Sequence, residues 1–368
     1  MSSARARRRF HDRRPRRMPA TLSPLGLVLA LGLAACSLSG EGEPTPVGNA
    51  TPGGTVVLVT HESFALPKKL VRQFEQESGY TLEVRASGDA GTLTNKLVLT
   101  QDTPTGDVAF GVDNTFASRA LEADVFAPAE VALPDGAGDF ALPEGADRLV
   151  PIDSGSVCVN IDKGWFAAHD LAAPRTLDDL VAPAYRDLLV LPGATTSSPG
   201  MAFLLATIAR YGDGWPDYWA ELMANGVRIT SGWSDAYFVD FTQGGGDGNR
   251  PIVVSYDSSP AFTVGKDGRS TTRALLDTCF RQVEYAGVLT GADNPDGARA
   301  FVEFLLGADV QAALPESMYV FPVRAGVALP EEWARFARQP RSPYAVDPDE
   351  IAQRRAEWLT TWEEVTTR

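Results

Sequence analysis

The sequence predicts an α/β protein made of two lobes joined by a hinge. Strand-like and helix-like runs alternate between residues 55 and 121 and again between residues 157 and 255, which is typical of mainly parallel sheets flanked by helices. The length of 368 residues suits two domains that each bury a core. A late apolar run, residues 282–289, indicates that the chain returns to the first lobe. We therefore expect the chain to cross between the lobes near residues 153–159 and again near residues 262–285.

The first 35 residues have the pattern of a secretory signal peptide. Arginines cluster at positions 5–17, and the apolar run 22–35 that follows is 14 residues long, too short to cross a ~30 Å hydrocarbon core as a helix. The run ends in Leu-Ala-Ala-Cys36, which resembles a bacterial lipobox. We expect cleavage before Cys36, a lipid on its thiol and a flexible tether over residues 36–53. The alternative is an ordinary signal peptide in which Cys36 is incidental.

Helix-breaking residues and the periodicity of apolar residues predict where the strands and helices of the first half of the mature chain lie. The predicted strands are residues 55–60, 80–86 and 107–112, and the predicted helices are a segment starting at Pro67 and stopping at Gly79, residues 93–99 and residues 116–121. A loop rich in Pro, Gly and Ala over residues 128–145 ends this β-α-β-α-β series.

The same alternation returns in the second half. The predicted strands are residues 157–161, 188–191, 227–230, 252–255 and 280–285, and the predicted helices are residues 201–210, 217–223, 295–306 after an Asn294 cap, and 349–365. We therefore assign residues 54–155 with 265–320 to lobe I and residues 156–264 with 321–368 to lobe II.

The mature chain is strongly acidic. Residues 36–368 carry 25 Lys and Arg against 46 Asp and Glu, a net charge of −21. Such a surface repels phosphate backbones and acidic lipid headgroups, which excludes general nucleic-acid binding and favours cationic ligands. Two cysteines remain beyond the leader, Cys158 and Cys279, in a compartment that permits disulfides; either a bond between them or two buried free thiols fits the sequence.

Catalytic motifs are missing from this sequence. Only His61 and His169 remain beyond the leader, and there is no zincin helix, Gly-x-Ser-x-Gly elbow or phosphate-binding loop. Residues 136–141 match the loosest dinucleotide fingerprint but lie in a loop, and residues 244–248 offer one carboxylate, too few for calcium. We expect no enzyme activity, no cofactor and no metal. A lipid-anchored hydrolase that uses His61 or His169 as base is the alternative from another class.

Aromatic residues occur beside Gly, Ser and Asp in three segments where predicted strands end. The segments are SGWSDAY at residues 231–237, VSYDSSPA at residues 254–261 and LPESMYVFPV at residues 314–323. Ligands of open α/β sheets bind at the carboxyl ends of strands, so we expect these aromatic side chains to face a cleft. Core packing at the lobe edges is the alternative.

These segments resemble the periplasmic thiamine-binding proteins of ABC importers, which have the type II fold of periplasmic solute-binding proteins. The resemblance covers nearly the whole mature chain in order, and Gly-Trp-Ser-x-Ala-Tyr and Ser-Tyr-x-x-Ser-Pro-Ala are its most specific parts. Further matching stretches are THESF at residues 60–64, DVAFGVDN at residues 107–114, SSPG at residues 197–200 and QVEYAGV at residues 282–288.

The resemblance implies a site in which thiamine stacks between aromatic rings. The family's tryptophan and two of its tyrosines fall on Trp233, Tyr237 and Tyr256, and its ligand-contacting serine falls on Ser197 or Ser198. Its chemistry suits the ligand because a permanently cationic thiazolium gains roughly 0.5–2 kcal/mol at an aromatic face.

Two ring positions depart from the family pattern. His61 stands where family members carry tyrosine after the first strand, and Tyr319 stands where they often carry tryptophan; both keep a flat ring. Asp113 or Asp257 could supply an acid that complements the ligand's charge, although Asp113 is equally placed to cap the helix that follows it.

The resemblance implies an extracytoplasmic solute-binding protein, a monomer, that passes thiamine or its phosphates to an ABC permease. The nearest rival is a ferric-iron binder of the same fold, since His61-Glu62 resembles part of an iron ligand set. Such sites usually need adjacent tyrosines as hard anionic donors, and no Tyr-Tyr pair occurs in the sequence.

Overall fold

A nine-stranded sheet and ten α-helices make up the part of the chain that the computed structural model describes, residues 53–367. The predicted signal peptide, Cys36 and nearly all of the predicted tether lie outside the described residues. The strands are β1 (Thr55–Thr60), β2 (Thr81–Ala86), β3 (Val108–Asp113), β4 (Val150–Asp162), β5 (Leu189–Pro192), β6 (Arg228–Thr230), β7 (Ile252–Tyr256), β8 (Thr272–Val288) and β9 (Phe321–Pro322).

The helices lie on both faces of the sheet and bury two main apolar clusters. They are α1 (Lys68–Ser78), α2 (Ala90–Leu99), α3 (Ala117–Glu122), α4 (Lys163–Ala168), α5 (Ser198–Tyr211), α6 (Trp215–Ala224), α7 (Pro295–Leu305), α8 (Ala308–Ser317), α9 (Glu331–Phe336) and α10 (Pro348–Thr366). A π-helical turn, Asp235–Asp240, follows β6.

The strand order is β2-β1-β3-β8-β4-β7-β5-β6, with β9 added beside β4. Strands β2, β1 and β3 pair in parallel at one end, and β7, β5 and β6 pair in parallel at the other. The antiparallel strands β4 and β8 join these two groups. The predicted α/β architecture with two mainly parallel lobes and a hinge between them is therefore confirmed.

The two central strands cross from one parallel group to the other. The register of β4 against β8 shifts between Pro151 and Asp153, at the start of the first predicted crossing, and again between Val157 and Val159, inside it. The lobe boundaries at residues 155, 264 and 320 stay a prediction. Residues 272–280 of β8 pair with the stretch of β4 that also pairs with β7. We therefore expect the chain to return to the first lobe further along β8, close to Glu284.

Local signals in the sequence account for several element ends. Helix α1 begins after Pro67, buries Leu70 and Phe74, and ends at Gly79, whose φ of 77° suits a residue without a side chain. Helix α7 begins at Asn294, whose side chain accepts a hydrogen bond from the Gly297 amide. These predictions are confirmed.

The lengths of β4 and β8 were underestimated from the sequence. The predicted runs covered residues 157–161 and 280–285, whereas the strands have 13 and 17 residues. Strand β4 is buried along its whole length although it contains Asp153, Ser154 and Asn160. Polar side chains that are buried in a strand break its apolar run, so hydrophobic patterning detects only part of it. Helices α4, α8 and α9 were not predicted.

A disulfide between Cys158 of β4 and Cys279 of β8 ties the central strands together. Both cysteines are fully buried, and they are 121 residues apart in the sequence. Closing a loop of that size restricts the unfolded chain and stabilises the folded one by a few kcal/mol.

We expect the double variant Cys158→Ala, Cys279→Ala to lose about 2–5 kcal/mol in free energy of unfolding, because its unfolded chain regains the loop entropy. Urea denaturation of both proteins measures the difference, and thiol titration of the unfolded, unreduced wild type measures the bond. Two free thiols at these positions would contradict the assignment.

Candidate ligand-binding site

An aromatic cleft lies where the two parallel strand groups approach each other. Its inner cavity has a volume of about 30 Å³ and an adjoining cavity about 210 Å³, and Trp233, Tyr256 and Tyr319 line both. The inner cavity is also lined by His61, Ser63, Asp89, Ser198, Pro199, Glu284, Met318 and Val320. Because 30 Å³ holds only one or two waters, a ring-sized ligand requires these walls to move apart.

Trp233 contacts residues on several sides of the cleft. It follows β6, is 9% exposed, and its indole Nε1 donates to Ser255 Oγ at 2.9 Å. Its ring stacks on Tyr237 with centroids 5.1 Å apart and planes at 22°, and meets the Tyr256 ring nearly edge-on at 6.1 Å. Such a fixed ring is a preorganised stacking surface.

Tyr237 and Tyr256 come from neighbouring elements of lobe II. Tyr237 lies in the π-helical turn after β6, and Tyr256 is the last residue of β7. Burial raises the pKa of the Tyr237 hydroxyl to about 12, although its hydrogen bond to Ser259 acts in the opposite direction. Both hydroxyls therefore stay protonated at neutral pH, since burial also raises the pKa of Tyr256.

Tyr319 enters the cleft from the segment between α8 and β9. Its φ of 68° is unusual for a residue with a bulky side chain, and the Ser258 hydroxyl donates to its carbonyl oxygen at 2.6 Å. Its ring packs on Phe262. Because a strained backbone persists only where its surroundings hold it, these contacts fix the ring that lines both cavities.

His61 lies at the carboxyl end of β1. Its Nδ1 accepts a hydrogen bond from the Ser63 amide at 3.2 Å, and its Nε2 is 3.2 Å from Glu284 Oε1. A side chain at Gly111, whose φ is 100°, would come within 2.0 Å of the imidazole. Burial lowers the pKa of His61, but the Glu284 carboxylate outweighs it and raises the pKa above the usual value. Because the Ser63 amide donates to Nδ1, the ring proton lies on Nε2, the nitrogen that faces Glu284.

The two predicted serines begin α5 and are both buried. Ser198 lines the inner cavity, whereas Ser197 lines neither cavity of the cleft. Asp113 lines neither as well. Its Oδ1 accepts from the Thr115 amide, the Thr115 hydroxyl and the Phe116 amide at 2.8–3.2 Å, so it holds the turn before α3, whose own cap residue is Phe116 and has no side-chain cap. Burial raises the pKa of Asp113 to about 7.

Asp257 lies behind the aromatic wall. Its Oδ1 accepts from the Ser156 amide at 3.1 Å, and the side chain borders a separate cavity lined in part by Lys163, Arg273 and Arg335. Burial raises the pKa of Asp257 to about 7. The acids that do line the cleft are Asp89 and Glu284.

Asp89 and Glu284 were not predicted as site residues. Asp89 caps α2 by accepting from the Ala90 amide and also accepts from the Trp233 amide at 2.8 Å, so it links the two lobes. A capping aspartate is a common helix signal and does not reveal a second partner. Glu284 left a detectable signal, because it is a charged residue inside an otherwise apolar strand run.

The comparisons with known proteins agree with this geometry. The model of the bacterial extracellular solute-binding protein family matches residues 60–312. The chain belongs to this family. In the described residues, 53–367, the helices are all too short or too polar to span a bilayer.

Relatives with a named ligand are similar over most of the chain. The thiamine-binding periplasmic protein of Salmonella typhimurium is 29% identical over 329 residues, covering 85% of this chain and 94% of that protein. The protein of the same name from Escherichia coli is 29% identical over 324 residues, with the same coverage. A solved periplasmic thiamin-binding protein superposes with a TM-score of 0.75 at 27% identity, covering 85% and 96% of the two chains.

Iron-binding proteins share the fold more distantly. Iron-bound HitA from Pseudomonas aeruginosa has a TM-score of 0.64 at 18% identity, covering 84% of this chain and 99% of its own. At this identity the similarity extends to the fold alone.

We expect the melting temperature to fall as pH rises from about 4 through 7, in part because of Asp257. Its folded pKa of about 7 lies above the unfolded value of 3.8, so its stabilising effect is full below pH 3.8 and is lost as pH rises through 7. Asp257→Asn keeps the Oδ1 acceptor and should flatten this dependence. Calorimetry at several pH values measures the melting temperature, and Asp213→Asn, at an exposed site, is the control. If the melting temperature changed equally with pH in Asp213→Asn and in Asp257→Asn, the dependence would not come from Asp257.

Proposed function

We propose that this protein captures thiamine or a thiamine phosphate outside the cytoplasm and delivers it to the permease of an ABC importer. The observation that carries the proposal is the cleft with Trp233, Tyr256 and Tyr319 as ring walls and the acids Asp89 and Glu284 beside them. Thiamine joins a flat aminopyrimidine to a cationic thiazolium, and aromatic faces with nearby carboxylates bind such a molecule by stacking, cation–π attraction and charge.

The family and the named relatives support the same ligand. Similarity at 29% identity spans 85% of the chain, and the residues that carried the resemblance, Trp233, Tyr237, Tyr256 and Tyr319, surround connected cavities. Ser198 at the first turn of α5 is suited to the hydroxyethyl end of thiamine or to its phosphate, because a helix amino terminus favours anions. We assign no catalytic role to the chain.

Two observations disfavour the rival functions. No group of three or more His, Cys, Asp or Glu residues within residues 53–367 is arranged to hold a metal ion, and the sequence lacks the Tyr-Tyr pair that iron sites of this fold usually use as hard anionic ligands. For a hydrolase, His169 stacks on Trp165 at the end of α4 and lines neither cavity of the cleft, and His61 is paired with Glu284.

We also propose that the mature protein is a monomer tethered to the outer face of the cell membrane by a lipid on Cys36. The support is the lipobox-like sequence before Cys36 and the Gly-, Pro- and Ser-rich segment that follows it. A tether lets the cleft meet ligand and permease while the protein stays at the membrane.

We expect Trp233→Ala to weaken thiamine binding by about 1–3 kcal/mol, or about 5- to 150-fold, because the stacking surface is lost. Trp233→Phe should recover part of this loss. Calorimetric titration with thiamine and its mono- and diphosphate measures affinity, and urea denaturation separates binding from folding.

The matched control for this experiment is Trp165→Ala. Trp165 is a half-buried tryptophan of lobe II that lines neither cavity, so its loss should leave thiamine affinity within about twofold. Thiamine binding of wild-type strength in a folded Trp233→Ala protein would count against this site, and ferric iron bound in place of thiamine would favour the rival.

We expect Cys36→Ser to release the protein from the membrane fraction without changing thiamine affinity, because the lipid attaches outside the folded lobes. Fractionation and immunoblotting measure the release, and Ser37→Ala serves as the control. Retention of the Cys36→Ser protein on the membrane would refute the lipid anchor.

A further inference from the structure

Glu284 is a buried acid in the wall of the ligand cleft. It lies on β8, is 6% exposed, and faces Asp153 of β4 across the central strand pair. Its carboxylate borders the inner cavity together with Trp233 and Tyr256. The position combines a negative charge, low exposure to water and aromatic neighbours.

Two neighbouring side chains hold this carboxylate. His61 Nε2 is 3.2 Å from Glu284 Oε1, and because the Ser63 amide donates to Nδ1, Nε2 is the ring nitrogen that carries a proton toward Glu284. Asp153 is fully buried, and burial together with the charge of Glu284 raises its pKa well above the usual value. Asp153 therefore lies opposite Glu284 in the strand pair as a buried acid with a raised affinity for its proton.

No lysine or arginine neutralises Glu284. Among residues 53–367 the ion pairs of Lys and Arg all involve other acids, and only His61 pairs with Glu284. The other acids near His61 are Glu62, which is exposed, and Asp89, which accepts from the Ala90 and Trp233 amides. A buried carboxylate whose only basic partner is a histidine, a side chain that is charged only when protonated, is costly, and a cationic ligand supplies a permanent counter-charge.

We propose that Glu284 selects cationic over neutral ligands in this cleft, with His61 and Asp153 as the positioning residues that aim its carboxylate at the ligand. The inference rests on the proposed function and adds the determinant of charge selectivity to it. A flat neutral molecule still stacks on the rings, but it leaves Glu284 desolvated and without a counter-charge. A flat cation gains at the rings and at the carboxylate alike.

The test compares two related heterocyclic ligands that differ in charge: thiamine, a cation whose two rings are joined by a methylene bridge, and thiochrome, its neutral oxidation product, in which a third ring fuses them. Calorimetric titration of wild type and Glu284→Gln gives both affinities. We expect the isosteric change to weaken thiamine binding by about 10- to 100-fold and to leave thiochrome binding within about threefold. The control Glu62→Gln removes a charge from the adjacent exposed residue and should change neither affinity by more than about threefold.

A second pair of variants separates charge from folding. Glu284→Asp keeps the carboxylate and should keep a preference for thiamine, and His61→Phe removes the Nε2–H donor and should lower that preference while thiochrome affinity holds. Unchanged thiamine affinity in folded Glu284→Gln, or an equal loss for both ligands, would overturn the inference and leave the proposed function intact. If Glu284→Gln does not fold, the other two variants decide. The inference would be overturned if Glu284→Asp lost the preference for thiamine over thiochrome, or if His61→Phe kept that preference unchanged. A wild-type protein that binds no thiamine would overturn both.

Discussion

The antiparallel pairing of β4 with β8 is the constraint on which the rest of the structure depends. These two strands are the only connection in the described sheet between the parallel group β2-β1-β3 and the parallel group β7-β5-β6. A disulfide between Cys158 and Cys279 lies within the pair. Because the register of β4 shifts twice along β8, the pair bends where the lobes meet, and bulges of this kind are a common way to turn a strand next to a functional site.

The same strand pair determines the charge of the cleft. It buries Asp153 opposite Glu284. His61, which follows β1, and Tyr256, which ends β7, line the same cavity as Glu284. Burying acids is unfavourable unless donors or a counter-charge compensate, so the cluster needs the hydrogen bonds that surround it and favours a cationic partner. The acidity of the mature chain as a whole attracts cations to the surface, whereas in our proposal these few buried groups set the ligand preference of the cleft.

The aromatic walls depend on loops that rigid elements hold in place. Trp233 is fixed by Ser255 of β7 and by Asp89 of the other lobe, and Tyr319 is fixed by Ser258. Asp89 therefore connects lobe closure to the stacking surface, because its hydrogen bond to the Trp233 amide exists only while the lobes are together. This arrangement is suited to a protein that must hold a flat ligand firmly and still release it.

The sequence by itself determined the α/β alternation, the ends of helices such as α1 at Gly79, and the aromatic residues that line the cleft, because turn residues, apolar periodicity and the Gly-Trp-Ser-x-Ala-Tyr segment are local signals. The tertiary structure alone decided the full length of β4 and β8, the place of Asp113 in the turn before α3 and the entry of Asp89 and Glu284 into the site. These features arise from pairings between residues far apart in the chain, such as Asp153 with Glu284 and Asp89 with Trp233. The burial of a polar side chain becomes favourable only through such a distant partner, and the local sequence around the side chain does not reveal which residue that partner is.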